Sequence, residues 1–482
     1  MYKLYDLRLK VSIFLLSFSI FANAQTEEFG LGCEYDIEID GKVPMKAKLL
    51  TRDYETLPKA HSLKKYCPIA KSQSHYGTCT SWATTYAART ICEAIANDWT
   101  DRDYITKEAF APIFVYKQIQ PEGQCKNGSS IAKALELLKT KGVPKFSSFN
   151  VWCCDYIPES LYVEAENHKI DGYSKLFDRK YNWNIFDWED FTSYDTKINS
   201  VKKAISQDHP VVIDIDVYHS FDIAKNCWTG EFNAPNRGGH ALCVVGYDDN
   251  MYGGAFEIMN SWGTTWGNDG FIWIRYDDFF RSCKYAFDVY KKKNSPSPEP
   301  TPVPKKNSFD GEMYILGKDG GSRMAMSLQD GIIPYYRASE EYLSGKKFRL
   351  YVSNNEPAWV YVIASDKTNN VTKLFPYSDN VSALLDYKQN NIAIPDESHE
   401  FQFDTVAGTD YFCVLYSQEE LNINHIVKNI KETSGIFYEK VVSALGDKLV
   451  PKEDCKYISN NMKVNAKSNS VVVPLVVEIK HK

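Results

Sequence analysis

The chain has 482 residues, more than one ordinary hydrophobic core serves, so two folded units are expected. Its composition, 44% hydrophobic, 24% charged and 14% aromatic, excludes a disordered chain. The net charge of −6 is spread over interspersed acidic and basic residues; no cationic stripe is offered to a phosphate backbone, which excludes nucleic acid as a partner.

The first residues read as an export signal. Lys3, Arg8 and Lys10 precede an apolar run at 11–21, and the small residues Ala22 and Ala24 place a cut before Gln25. The run is shorter than the ~20 residues that a spanning helix requires. No second long apolar segment follows, so no integral membrane segment is expected. The mature chain is expected to be exported: secreted, periplasmic or associated with the cell surface.

After the signal at 1–24 comes an extension at 25–56, then a first unit at 57–290. Positions 81–95 carry Ala83, Ala87, Ile91, Ala94 and Ile95 at helical spacing with no Gly or Pro between them. A second helix follows Ser129 or Ser130 as N-cap, with Ile131, Ala134, Leu135 and Leu138 on one side and Gly142 as its stop. A weaker third spans 197–206. Strand patterns then take over at 211–217, 240–247, 255–259 and 270–276. Helices first and strands later predict an α+β, two-lobed layout rather than a doubly wound sheet.

Between 291 and 307 the run Ser295-Pro296-Ser297-Pro298-Glu299-Pro300-Thr301-Pro302-Val303-Pro304 has no apolar face to bury and reads as an extended linker. The second unit, 308–482, reads as mainly β and sandwich-like. Strands are expected at 348–352, 359–364, 411–416 and 471–479, with a helical insertion at 421–445 and a turn at Asn354-Asn355-Glu356-Pro357. It carries no catalytic constellation, and a binding role toward a surface or a glycan is the expectation it leaves.

Acyl transfer needs a nucleophile, a base and donors aimed at the developing oxyanion. Three short segments supply them. In Gln73-Ser74-His75-Tyr76-Gly77-Thr78-Cys79 the cysteine opens a helix, whose positive end favours the thiolate near neutral pH and whose unpaired N–H groups can hold an oxyanion. Gln73 brings a side-chain amide as second donor. In Arg237-Gly238-Gly239-His240-Ala241-Leu242 a histidine opens an apolar strand behind two glycines that allow a substrate backbone to approach. In Met259-Asn260-Ser261-Trp262-Gly263-Thr264-Thr265-Trp266-Gly267 the Asn260 carbonyl can fix the imidazole tautomer, and Trp262 can shield that bond from water. His75 is a rival base, but a loop gives it no fixed orientation.

At these residues the chain resembles the papain family of cysteine peptidases. The third segment is similar to its Asn-Ser-Trp-Gly-x-x-Trp-Gly stretch, the second to its His-Ala-x-x-x-x-Gly-Tyr strand, and the first keeps Gln six residues before Cys. The resemblance covers about 57–290 and implies a papain-like two-lobed catalytic unit. It further implies Cys79 as nucleophile, His240 as general base and acid, Asn260 as orienter, and Gln73 with the Cys79 N–H as oxyanion hole. Peptide or protein would be the substrate, with no metal and no cofactor. Cys125-Lys126-Asn127-Gly128-Ser129 looks like a variant of the family's Cys-x-Gly-Gly wall, so Gly128 and Gly239 are the implied substrate-backbone contacts. The second unit, around 359–363 and 373–376, is similar to a bacterial β-domain family of unknown function.

The departures concern cysteines and the extension. The chain holds 12 cysteines, which in an exported protein predicts some disulfides. The family's cysteine just before the nucleophile is absent here, so Cys125 is expected to pair elsewhere, with Cys153 and Cys154 the candidates. Cys243, within an apolar strand, is the expected second unpaired thiol. No Cys-x-x-Cys or His-x-x-x-His pair suggests a metal. The extension is too short for the family's long inhibitory propeptide, which leaves open how activity is restrained.

Overall fold

A computed structural model describes residues 29–49, 56–291 and 306–482, apart from positions 121, 123, 154–155, 183–186, 191, 319–320, 367, 369, 387–389 and 460. The export signal and the proline run at 295–304 lie outside the described residues.

The first helix, α1, occupies 79–96, as Cys79–Ser81, a wider π-turned stretch Trp82–Arg89, and Thr90–Ala96. It is more deeply buried than a one-sided apolar stripe predicts. Residues 79–92 are buried on every side, polar Thr84, Thr85 and Arg89 included. Ala83, Ala87 and Ala88 let neighbours approach closely, while Arg89 is neutralised by Glu93 at 2.7 Å and lies over the Phe110 ring. Helices α2 (Pro112–Ile119) and α3 (Ile131–Thr140) pack on one side of it. Ser130 caps α3 by accepting the Lys133 N–H, and Gly142, at φ +78°, ends it.

On the other side lies the second lobe, whose sheet runs in the order β1 (Gly172–Phe177), β6 (Cys283–Tyr290), β2 (Val211–Val217), β3 (Gly238–Asp248), β4 (Ala255–Met259) and β5 (Phe271–Arg275). These neighbours are antiparallel. Helix α4, Tyr194–Ser206, begins three residues before the predicted start because Ser193 caps it. In β2 and β3 nearly every residue is buried, since α1 covers one face and α4 the other. Ile215 stands opposite His240 and Cys243 opposite Met259, so His240 and Asn260 lie at neighbouring ends of adjacent strands.

The C-terminal residues form two packed sheets. One centres on Lys347–Asn354, Asn307–Gly317 and Lys463–Ser468; the other centres on Val472–His481, Gly408–Ser417 and Ala358–Ser365. Met313, Leu350, Val352 and Val464 of the first meet Val360, Val362, Val414, Leu475 and Val477 of the second in one core. The predicted insertion is two helices, Ile423–Glu432 and Phe437–Leu445, which cover the second sheet's outer face through Ile426, Ile430, Val441 and Leu445. That sheet is therefore buried on both faces, which explains its continuous apolar runs. No helix among the described residues is long and apolar enough to cross a membrane.

Candidate active site

Cys79 is the first residue of α1. The Thr78 hydroxyl at its N-cap position makes no capping bond, so the donors of the first turn are not consumed by a side chain. The sulfur accepts the Ala241 N–H at 3.4 Å, and the nearby Gly32 and Thr80 backbone groups favour the thiolate as well. Ala241 follows His240, so the strand that delivers the imidazole is tied to the sulfur itself. His240 Nε2 meets Asn260 Oδ1 at 2.8 Å, and that same oxygen accepts the Ser261 N–H at 2.7 Å. The imidazole's other nitrogen, Nδ1, is buried without a hydrogen-bond partner. Trp262 stacks on the ring at 4.7 Å and 26°, with Phe221 at the edge of both. Water is thereby kept from the His240–Asn260 bond.

Gln73 is held at both ends. Its Oε1 accepts from the Ser261 hydroxyl at 2.6 Å, and its backbone N–H donates to the Ser261 carbonyl at 2.8 Å. Its Nε2 donates to the Tyr76 and Gly30 carbonyls at 2.7 and 3.0 Å. Ser261 was not picked out from the sequence, although it lies beside Asn260. His75 is exposed and packs on Tyr76, away from the sulfur. Trp82 sits in the core against Tyr86 and Phe146.

The cleft is covered by the chain's own extension. Phe29 stacks on Trp262 at 4.5 Å, and the Phe29 carbonyl receives Arg237 at 3.5 Å. Gly30 N–H donates to the Ser74 carbonyl, and Cys33 N–H to the Gly239 carbonyl, both at 3.2 Å. Ser129 N–H donates to the Gly32 carbonyl at 2.9 Å, and Glu34 N–H to the Ser129 carbonyl at 3.1 Å. A side chain at Gly30 or Gly32 would lie 2.1 or 2.2 Å from the carbonyl oxygens of Tyr76 and Gly77, so only glycine threads this close to the nucleophile loop.

This cover corrects two sequence readings. The wall that pairs with a peptide backbone is Ser129, one residue beyond Gly128, whose N–H faces the Glu34 carboxylate at 3.2 Å. The residue type matters little there, because the ladder is made by backbone. Gly239 contributes its carbonyl to the Cys33 N–H of the cover. The thiol, expected to be ionised near neutral pH, is instead pushed up to about 12 by burial, which outweighs the N–H groups around it. Burial likewise takes His240 down to about 4, with the Asn260 bond opposing it and Arg237 adding to it. The covered pair is uncharged.

Cys125 pairs with Cys153, one of the two expected partners. Cys154 lies outside the described residues. Cys79, Cys243 and seven further described cysteines are free thiols, so disulfides are fewer among the described residues than export led us to expect.

Residues 62–292 match the papain family of cysteine proteases, and 341–420 match a domain of unknown function, DUF4384. An uncharacterised peptidase C1-like protein of Acanthamoeba polyphaga mimivirus is 32% identical over 127 residues, 25% of this chain and 36% of that one. Cathepsin L of Sarcophaga peregrina is 37% identical over 78 residues, 15% and 22% of the two chains. The chain thus spans about a third and about a fifth of these curated relatives. Among solved structures, xylellain, a cysteine protease from Xylella fastidiosa, is 20% identical, covering 57% of this chain and 99% of that one, with a TM-score of 0.42. Digestive procathepsin L 3 of Tenebrio molitor is 16% identical, covering 52% and 76%, with a TM-score of 0.38.

Proposed function

Because residues 62–292 belong to the papain family of cysteine proteases, we propose that this chain hydrolyses peptide bonds of protein or peptide substrates, with Cys79 as nucleophile and His240 as general base and acid. The observation that carries the reading is the convergence of Cys79, His240, Asn260 and Gln73 at one point between the lobes, with the Ala241 N–H on the sulfur and Asn260 on Nε2.

With the cover displaced, water enters and the burial that keeps both groups neutral is relieved. Nδ1 of His240 takes the thiol proton, and the thiolate attacks the scissile carbonyl carbon. The carbonyl's electron pair moves to its oxygen, which the Gln73 amide and the Cys79 N–H hold. Collapse breaks the C–N bond as Nδ1–H protonates the leaving amine, which leaves a thioester on Cys79. His240 then deprotonates a water that attacks the thioester, and the acid product and thiol are released. Asn260 keeps Nε2 protonated through both steps, so Nδ1 is the nitrogen that shuttles.

The test is turnover of casein and of short fluorogenic peptides by the full chain. Cys79→Ala and His240→Ala are each expected to lower kcat by on the order of 10³-fold or more. Undiminished turnover in either variant refutes the assignment. Added amines separate hydrolysis from transfer, because a ligase would give amide products. We also propose export, on the pattern at 1–24; the protein found only in the cytoplasmic fraction of expressing cells would refute it.

A further inference from the structure

The C-terminal unit holds the segment that ends in the cleft. Past Glu34 the extension continues along the first unit: the Tyr35 hydroxyl donates to Asp178 at 2.7 Å, and the buried Asp40 carboxylate accepts the Ala132 N–H at 3.0 Å. At Met45 it touches both units at once. The Met45 N–H donates to the Asn380 carbonyl and its carbonyl receives the Ser382 N–H, each at 2.8 Å, while the next N–H, of Lys46, donates to Lys175 of β1 at 2.8 Å. From there it alternates as an added strand would: Ala47 and Leu49 enter the sandwich core of the C-terminal unit, and Lys48 is exposed.

Lys46 is the centre of this junction. Its side chain is 7% exposed and its ammonium lies between two carboxylates, Asp288 of β6, fully buried, and Asp386 of the C-terminal unit, 3% exposed. Asp288 also meets His209 at 3.1 Å. The ligand atoms of His209, Asp288 and Asp386 lie within 4.8 Å of one another, a spacing that suits a cation. Here the cation is the Lys46 ammonium. Removing it would leave two buried carboxylates facing each other across the junction, a costly arrangement.

We propose that the C-terminal unit works as a latch, a peptide-binding module whose ligand is residues 43–49 of this same chain and whose grip keeps residues 29–34 over Cys79. The proposal rests on the reading of Cys79 as nucleophile for its biological meaning, but not for its physics. A strand fixed at 45–49 returns to the cleft as an intramolecular ligand, so its occupancy depends on the anchor as well as on its own contacts. The cleft contacts of 29–34 are backbone bonds, the Phe29 stack and side-chain bonds from Gln73, Thr80 and Arg237 to its carbonyls; the anchor adds a buried ion triad and two core side chains. The hold on the cleft is therefore shared between the far end of the segment and what it covers, so loosening the far end lowers the occupancy of the cleft.

The test is hydrogen exchange of residues 29–34 in the full chain, read alongside the rate at which an epoxide thiol reagent labels Cys79. Lys46→Met removes the tie, and Lys46→Met with Asp386→Asn removes it while restoring charge balance, so a stray buried charge does not decide the result. Leu49→Ser weakens the core anchor by a separate route. All three are expected to speed exchange at Cys33 and Glu34 by at least about tenfold, with exchange in Val472–His481 unchanged. Gly32→Val displaces the cover directly, leaves the anchor intact and sets the fully open rate. Exchange at 29–34 as slow in all three anchor variants as in the wild type, with Gly32→Val fast, overturns the latch. Fast exchange in every variant without labelling of Cys79 leaves the latch standing and refutes the nucleophile.

Discussion

His240 and Cys79 are both buried under the cover, and burial favours the neutral form of each. For His240 the covered-state value of about 4 lies below the ordinary 6.5, so the neutral ring is the one the covered state prefers. That contribution is fully present above pH 6.5 and is lost as pH falls through 4. Arg237 is the charged group acting on the ring, and it adds to the same shift. Relative to the intrinsic rate at each pH, exchange at 29–34 should therefore speed up between pH 7 and pH 4.5, and His240→Gln should flatten that response; a response unchanged by the substitution would assign it to other groups. Ser261 gives a second test. It holds Gln73 but touches no sulfur, so Ser261→Ala should lower kcat by about tenfold with little change in KM. An unchanged kcat would remove Gln73 from the oxyanion hole.

A third prediction at this scale concerns substrate choice. The Cys33 side chain lies against the Tyr285 hydroxyl at 3.3 Å, in a pocket where Asp214 Oδ1 is buried without a partner and Lys284 takes the other carboxylate oxygen at 3.0 Å. A substrate side chain in that place is expected to carry a hydrogen-bond donor. A peptide-library profile should show that preference, and Asp214→Asn should weaken it; a strong preference for leucine unaffected by the substitution contradicts it.

At the scale of elements, much of the first unit was legible. The bounds read for β2 and β4 match the observed strands, because β2 is a β-branched run opened by Pro210 and β4 a short, mainly apolar run opened by Gly253-Gly254. The Ser130 cap was among two candidates, and Ser130→Ala should cost about 1 kcal/mol in urea unfolding. What the sequence did not disclose has a common physical cause. The π-turned stretch of α1 and its burial on all sides are set by the two lobes that enclose it, and local periodicity carries no signal of that. The extension at 29–49 has no periodicity of its own, since its order comes from a cleft and a sandwich far away in sequence. Gly30 and Gly32 were a signal, two glycines flanking one leucine, but a close approach can be read from them only once the partner is known. Ser129 was legible as a departure from a glycine wall and illegible as a backbone contact, because backbone donors leave no mark on residue type.

For the whole molecule, two cores of different architecture share one strand-like segment, and the proline-rich stretch is not the sole connection between them. Cys79, His240, Asn260 and Gln73 come from the junction of the two lobes of the first unit, and the segment that covers them also contacts the C-terminal unit at Met45 and Lys46. In the proposed account, hydrolysis and restraint belong to separate parts of the chain, joined through Lys46. The most direct test is mass mapping of the full chain with the Gly32→Val substitution after treatment with an epoxide thiol reagent. The account predicts labelling of Cys79 alone among the free cysteines, lost in the Gly32→Val, His240→Ala double variant. Labelling spread over other thiols, or an unlabelled Cys79 in a protein that still degrades casein, would contradict it.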